Sequence, residues 1–87
     1  MSSYTVLFAR SARKELEQLP AREVRRIFAK IEDLARDPRP EGCRKLAGVG
    51  TTWRIRVGVY RVVYTVDADA RVVDIIAVRH RRDAYRA

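Results

Sequence analysis

The chain has 87 residues, 19 of them Lys or Arg and 11 Asp or Glu, for a net charge of +8 at neutral pH; 47% of the residues are hydrophobic. That length admits one small domain, and that hydrophobic content argues against a disordered chain. No apolar run reaches the roughly 18 residues of a membrane span, no leader pattern opens the chain, and one cysteine with one histidine rules out an internal disulfide and argues against a Cys/His metal site. The expectation is a single domain over 1–87, cytoplasmic, with no membrane association, no metal and no cofactor.

Residues 4–8 form a β-rich run with partial alternation, enough for one strand. Ser11 is placed to cap a helix in which Ala12, Leu16 and Leu19 recur at helical spacing, with Arg13, Lys14, Glu15 and Glu17 on the wet side. Pro20 interrupts that helix and suits the first turn of a second. There Val24, Ile27, Phe28, Ile31, Leu34 and Ala35 make one apolar stripe that ends at Asp37-Pro38. Residues 38–52 read as a Pro/Gly-rich loop with Leu46 anchored in the core. Residues 53–57 then alternate strictly, with Arg54 and Arg56 on one face. Gly58-Val59 makes a tight turn into residues 60–66, where Tyr60, Val62, Tyr64 and Val66 share one face and Arg61, Val63 and Thr65 the other. A polar connection, Asp67 to Ala70, leads to residues 72–78, which are apolar at nearly every position, as in an internal strand. The predicted fold class is α+β, in the order β-α-α-β-β-β, with an α-hairpin packed on one face of a mainly antiparallel sheet.

The charge is unevenly placed. Residues 1–43 carry nine cations against seven anions, and residues 44–87 carry ten against four, so a polyanionic partner is expected on the second half. Sixteen of the nineteen cations are arginine. The planar fork of arginine suits phosphate and base stacking, although a GC-rich coding bias enriches it too, and the chain has no Asn. If the two strands of residues 53–57 and 60–66 pair as a hairpin, Arg54, Arg56 and Arg61 lie on the face turned from the helices. Any one of them could be a solvated surface residue. Together with Arg79, His80, Arg81 and Arg82 at the end of the last strand, they read better as a basic face for a phosphate backbone.

RNA can be cut without a metal because its 2′-OH is a built-in nucleophile. The reaction needs help in removing the 2′-OH proton, cations around the phosphate and a proton for the leaving 5′-oxygen. Arg54, Arg56, Arg61 and Arg81 suit the second task. His80 and Tyr85 are the candidates for proton transfer, at ordinary pKa values of about 6.5 for histidine and about 10 for tyrosine. Each has a structural alternative, as a strand-end histidine and as a tyrosine packed on the domain. Gly48-Val49-Gly50 lacks the third glycine of a dinucleotide fingerprint, and Asp67, Asp69 and Asp74 read as turn and strand residues. Trp53 falls on the apolar face, and Cys43 has no base partner nearby in sequence.

The run Lys45-Leu46-Ala47-Gly48, then Trp53-Arg54-Ile55-Arg56-Val57-Gly58, Tyr60-Arg61-Val62-Val63-Tyr64 and finally Val78-Arg79-His80-Arg81 with Tyr85 resembles the RelE/ParE superfamily of toxins from toxin–antitoxin pairs. The likeness spans nearly the whole chain. The RelE branch, favoured by Arg61, Arg81 and Tyr85 together, implies a ribosome-dependent, metal-independent mRNA endoribonuclease that cuts in the ribosomal A site. On that resemblance Arg61 and Arg81 hold the scissile phosphate, with Arg81 assisting the leaving group, and Tyr85 acts as base or orients the 2′-OH. Lys45, Arg54, Arg56, Arg79 and Arg82 would bind RNA. Arg54 and Arg56 stand where RelE members have lysines, and arginine gives up a proton far less readily; His80 could fill that gap. The ParE branch implies a DNA gyrase inhibitor without nuclease activity, and the charge pattern alone would suffice for a non-catalytic nucleic-acid-binding module. The partners implied are the ribosome with mRNA and a small antitoxin, RelB-like or other, in a heterodimer or heterotetramer.

Overall fold

The computed structural model describes residues 3–40, 42–45 and 52–80. Five strands form one sheet in the order β1-β5-β4-β3-β2: β1 (Thr5–Phe8), β2 (Arg44–Lys45), β3 (Thr52–Val57), β4 (Tyr60–Asp67) and β5 (Val72–His80). β1 runs parallel to β5, and the other neighbours are antiparallel. The helices α1 (Arg10–Glu17) and α2 (Ala21–Arg36) cover one face of the sheet. The expected α+β architecture holds, with one addition. Arg44 and Lys45, expected in a loop, pair with Arg54 and Trp53 as a two-residue edge strand. Leu46 and Gly48-Val49-Gly50 lie outside the described residues. Among the described residues no helix is long and apolar enough to cross a membrane.

The apolar stripe of α2 explains its place. Ile27, Ile31 and Leu34 are buried against the sheet, and Ala12 and Leu16 bring α1 onto the same core. Strand residues Val62, Tyr64, Val73 and Ile75, all fully buried, meet them from below. Phe28, although in the stripe, is 40% exposed and rests at 5.5 Å from the ring of Phe8. Ser11 does not cap α1, whose N-cap is Ala9; its hydroxyl donates instead to the carbonyl of Ile76 in β5. Pro20 stands one residue earlier than expected, as the N-cap of α2.

A bulge sets the phase of β5. Val63 pairs with Ala77 and Tyr64 with Ile75, so Ile76 is the extra residue. Strict alternation from Val73 and Ile75 would turn residue 79 inward. The inserted residue reverses the phase, so that Val78 is buried beside Val62 and Arg79 turns outward opposite Arg61. The apolar character of residues 72–78 thus has two causes: the strand lies between β1 and β4, and both of its phases are used.

The same strand changes partners along its length. β1 pairs only with residues 72–75, and beyond that point α1 lies along the open edge. Ala9 N–H donates to the Ile75 carbonyl at 2.8 Å, and the Glu15 carboxylate accepts the Val78 N–H at 2.8 Å. Helix side chains therefore satisfy backbone groups that an edge strand would leave open.

Candidate nucleic-acid interface

Register places the arginines in two rows on the sheet face away from the helices. Arg56, Arg61 and Arg79 are direct neighbours across β3, β4 and β5. Two residues away, Arg44 pairs with Arg54 across β2 and β3. Directly opposed like charges destabilise a sheet by roughly 0.2–1 kcal/mol per pair. Convergence of this kind makes physical sense where an anion is to be held between them.

Arg44, Arg54, Arg56 and Arg61, with Gly42 and Ile55, line one concave pocket of about 290 Å³. Arg61 forms its floor and is only 9% exposed. Arg56 is exposed and Arg54 half-buried, so the pocket grades from a desolvated base to a wet rim. Arg79 is held differently: its Nε lies 2.6 Å from a carboxylate oxygen of Glu15. Glu15 thus ties Arg79 to α1 while accepting the Val78 amide.

The expected site residues do not all meet there. Lys45 pairs with Trp53, one residue out of phase with Arg44, and its ammonium lies 5.9 Å from the Trp53 ring centre. The Arg39 guanidinium stands over the same ring at 5.9 Å. Lys45 therefore belongs to the Trp53 side of the sheet edge. His80 pairs with Tyr60, again out of phase with Arg79, and packs edge-on against the Tyr60 ring at 5.5 Å. It faces away from the arginine rows. Arg81, Arg82 and Tyr85 lie outside the described residues.

Three contributors escaped the sequence reading. Arg44 and Gly42 had no detectable signal, since they lie in the Pro/Gly-rich stretch that reads as loop. Glu15 had one: with Ala12, Leu16 and Leu19 it falls at i, i+3, i+4 and i+7 and so on the inner side of α1.

Beneath the pocket, on the core face of β4, the fully buried Tyr64 donates its hydroxyl to the Pro38 carbonyl at 2.8 Å. Burial, and after it the neighbouring Cys43 thiol, push the phenol well above its ordinary pKa. Gly42, with φ at +95°, turns the chain from this anchor into β2.

The model of the ParE toxin of the parDE type II toxin–antitoxin system matches residues 6–85. The chain belongs to the RelE/ParE superfamily of type II toxins. Within that superfamily it is 41% identical, over 88 residues, to toxin RelG of Mycobacterium tuberculosis, covering 95% of this chain and 97% of the relative. The toxin of the RelE–RelB complex from Pyrococcus horikoshii superposes with a TM-score of 0.81 at 31% identity, covering 91% of this chain and 96% of that one. For the intact RelBE toxin–antitoxin complex of E. coli the TM-score is 0.80 at 29% identity, with 90% and 96% covered. The β-α-α-β scaffold is thus shared with these solved RelE toxins.

Proposed function

We propose that this toxin is a ribosome-dependent mRNA endoribonuclease of the RelE kind, restrained by a cognate antitoxin. The observation that carries the reading is the meeting of Arg44, Arg54, Arg56 and Arg61 in one pocket of phosphate-accepting size. The 2′-oxygen of the substrate attacks the adjacent phosphorus, the bond from phosphorus to the 5′-oxygen breaks, and a 2′,3′-cyclic phosphate and a 5′-hydroxyl result. Negative charge builds on the phosphate oxygens, where fixed guanidiniums stabilise it without reorganising. Arg61, desolvated at the base of the pocket, is the strongest of these; Arg44, Arg54 and Arg56 grip the same or the flanking phosphate. Arginine stays protonated at neutral pH, so these groups hold charge and do not shuttle protons. In the RelE reading the 2′-OH proton passes by way of Tyr85 to water, and Arg81 stabilises the departing 5′-oxygen while water supplies the proton that makes it a hydroxyl.

The partner is an antitoxin of complementary chemistry: an amphipathic helix with an acidic or extended segment that covers the basic face. Structures of RelE relatives are known as complexes with RelB, which supports assembly of this kind. A second reading, gyrase inhibition without RNA cleavage, is favoured by the ParE description of the matching family.

Primer extension on mRNA after induction decides between them. Cuts at a fixed position within A-site codons, dependent on ribosomes and lost by about 10²–10³-fold in Arg61→Ala, are expected. Intact mRNA with inhibited supercoiling would support the gyrase reading instead.

A further inference from the structure

The arginine pocket is built from parts of unequal firmness. Arg54, Arg56 and Arg61 stand on β3 and β4, which pair along the whole of β3. Arg44 stands on a two-residue edge strand reached through residues 37–40 and 42–43, a connection with little regular structure. β2 lies at the edge of the sheet, and an edge position leaves it paired on one side only. Something else must fix where Arg44 points.

The Tyr64 hydroxyl is a buried polar group that reaches that connection. It donates to the carbonyl of Pro38, where the chain leaves α2, at 2.8 Å. This hydroxyl thus holds the first part of the connection. Pro38 is itself buried, and the turn that follows is closed by Cys43 N–H donating to the Pro40 carbonyl at 3.1 Å. Tyr64 sits on the helix face of β4 and Arg61 on the other, three residues earlier in the same strand.

We propose that Tyr64 is a positioning residue of the basic pocket: its buried hydroxyl fastens the start of the connection between α2 and β2 to the central strand, and, with the turn closed by Cys43 N–H on the Pro40 carbonyl, so holds Arg44 in register with Arg54, Arg56 and Arg61. Tyr64 acts through Arg44 and touches no substrate. The inference rests on the reading of this pocket as an RNA phosphate site.

The test uses the full chain and a short, labelled, single-stranded 2′-O-methyl RNA, which binds but cannot be cut. Affinity is measured over a range of salt concentrations for wild type, Tyr64→Phe, Arg44→Ala and the double variant, with thermal melting alongside. Each phosphate contact adds about 0.7 to the slope of log K against log salt for a single strand. Tyr64→Phe is expected to weaken binding about three- to tenfold and to flatten the slope by about 0.7, as Arg44→Ala does. The double variant should bind no worse than Arg44→Ala alone, because both changes remove the same contact. A structural role would lower the melting temperature and leave the slope untouched. An unchanged slope in Tyr64→Phe, or losses that add in the double variant, overturns the proposal while the RNA reading survives. If neither Arg44→Ala nor Arg61→Ala changes RNA binding, the phosphate reading itself fails and the role of Tyr64 falls with it. Should Tyr64→Phe fail to fold, Pro40→Gly, which loosens the connection without touching the core or the pocket, takes its place with the same opposed outcomes.

Discussion

Among single residues, His80 and Tyr64 show how one position of phase changes a role. His80 follows Arg79 directly, yet its ring stacks edge-on with Tyr60 while Arg79 joins the arginine row. His80→Gln is therefore expected to keep mRNA cleavage within about a factor of three, against the roughly 10²–10⁴-fold loss typical of a proton-transfer group. Primer extension at matched expression checks this, and a loss of the larger size would bring His80 back into the chemistry. Tyr64 has a stability signature. Its phenol is held neutral in the fold by burial, whereas the unfolded chain ionises near pH 10. The folded state then binds the extra proton, so stability is intact below about pH 10 and falls above it, by up to about 1.4 kcal/mol per pH unit. Tyr64→Phe removes that component. The stability gap between wild type and Tyr64→Phe, measured by urea unfolding, should shrink from about pH 9 to about pH 11; a constant gap would contradict it.

Among the elements, the joint between α1 and β5 is the most consequential. β1 supports only the first half of β5, and the bulge at Ile76 falls where that support ends. Glu15 then supplies an acceptor for Val78 N–H and a counter-charge for Arg79 with one carboxylate. Removing it leaves a half-buried amide unpaired at the end of the strand that leads into Arg81 and Tyr85. Glu15→Ala is expected to cost about 1–2 kcal/mol of stability, since the site is part-exposed. The loss should be concentrated locally, with Val78 amide exchange accelerated far more than that of Val62 or Val73 in the middle of the sheet. Equal acceleration throughout would show that Glu15 supports the whole fold and not this joint. The hairpin between β3 and β4 needs no such help, because Gly58 at φ +61° supplies the tight turn.

At the scale of the whole molecule, charge and apolar surface point to a partner. A net charge of +8 on 87 residues leaves the free toxin repelling itself, and Leu7, Phe28 and Val59 remain 40–51% exposed. An acidic antitoxin that binds only the folded toxin stabilises it by mass action, about 2.7 kcal/mol at a hundredfold excess over Kd. For a domain of this length that is a rise in melting temperature of about 10 °C or more. Thermal scans at increasing antitoxin concentration should show the midpoint climbing and the gain shrinking as salt is raised. A midpoint indifferent to the antitoxin would count against the pairing.

Much of this architecture is written in local pattern. The stripe from Val24 to Ala35 prescribes α2, and strict alternation in β3 puts Arg54 and Arg56 on the side away from Trp53, Ile55 and Val57, because helical and strand periodicities are properties of a few consecutive residues. The resemblance carried by Trp53 to Val57 and Tyr60 to Tyr64 reached the family from the same residues. Pairing between distant segments obeys no such local rule. The bulge at Ile76 turns Arg79 outward and His80 toward Tyr60, and it becomes visible only when β5 is laid against β4. The two-residue β2 brings Arg44 to the pocket and sends Lys45 to Trp53, a choice made by register with β3. Glu15 read as a wet helix residue until the edge of β5 arrived to meet it. One-residue shifts in strand pairing exchange the two faces of a sheet, so the identity of the basic residues was legible in the chain, whereas their convergence depended on contacts between distant parts of it, such as Glu15 with Arg79 and β3 with β4 and β5.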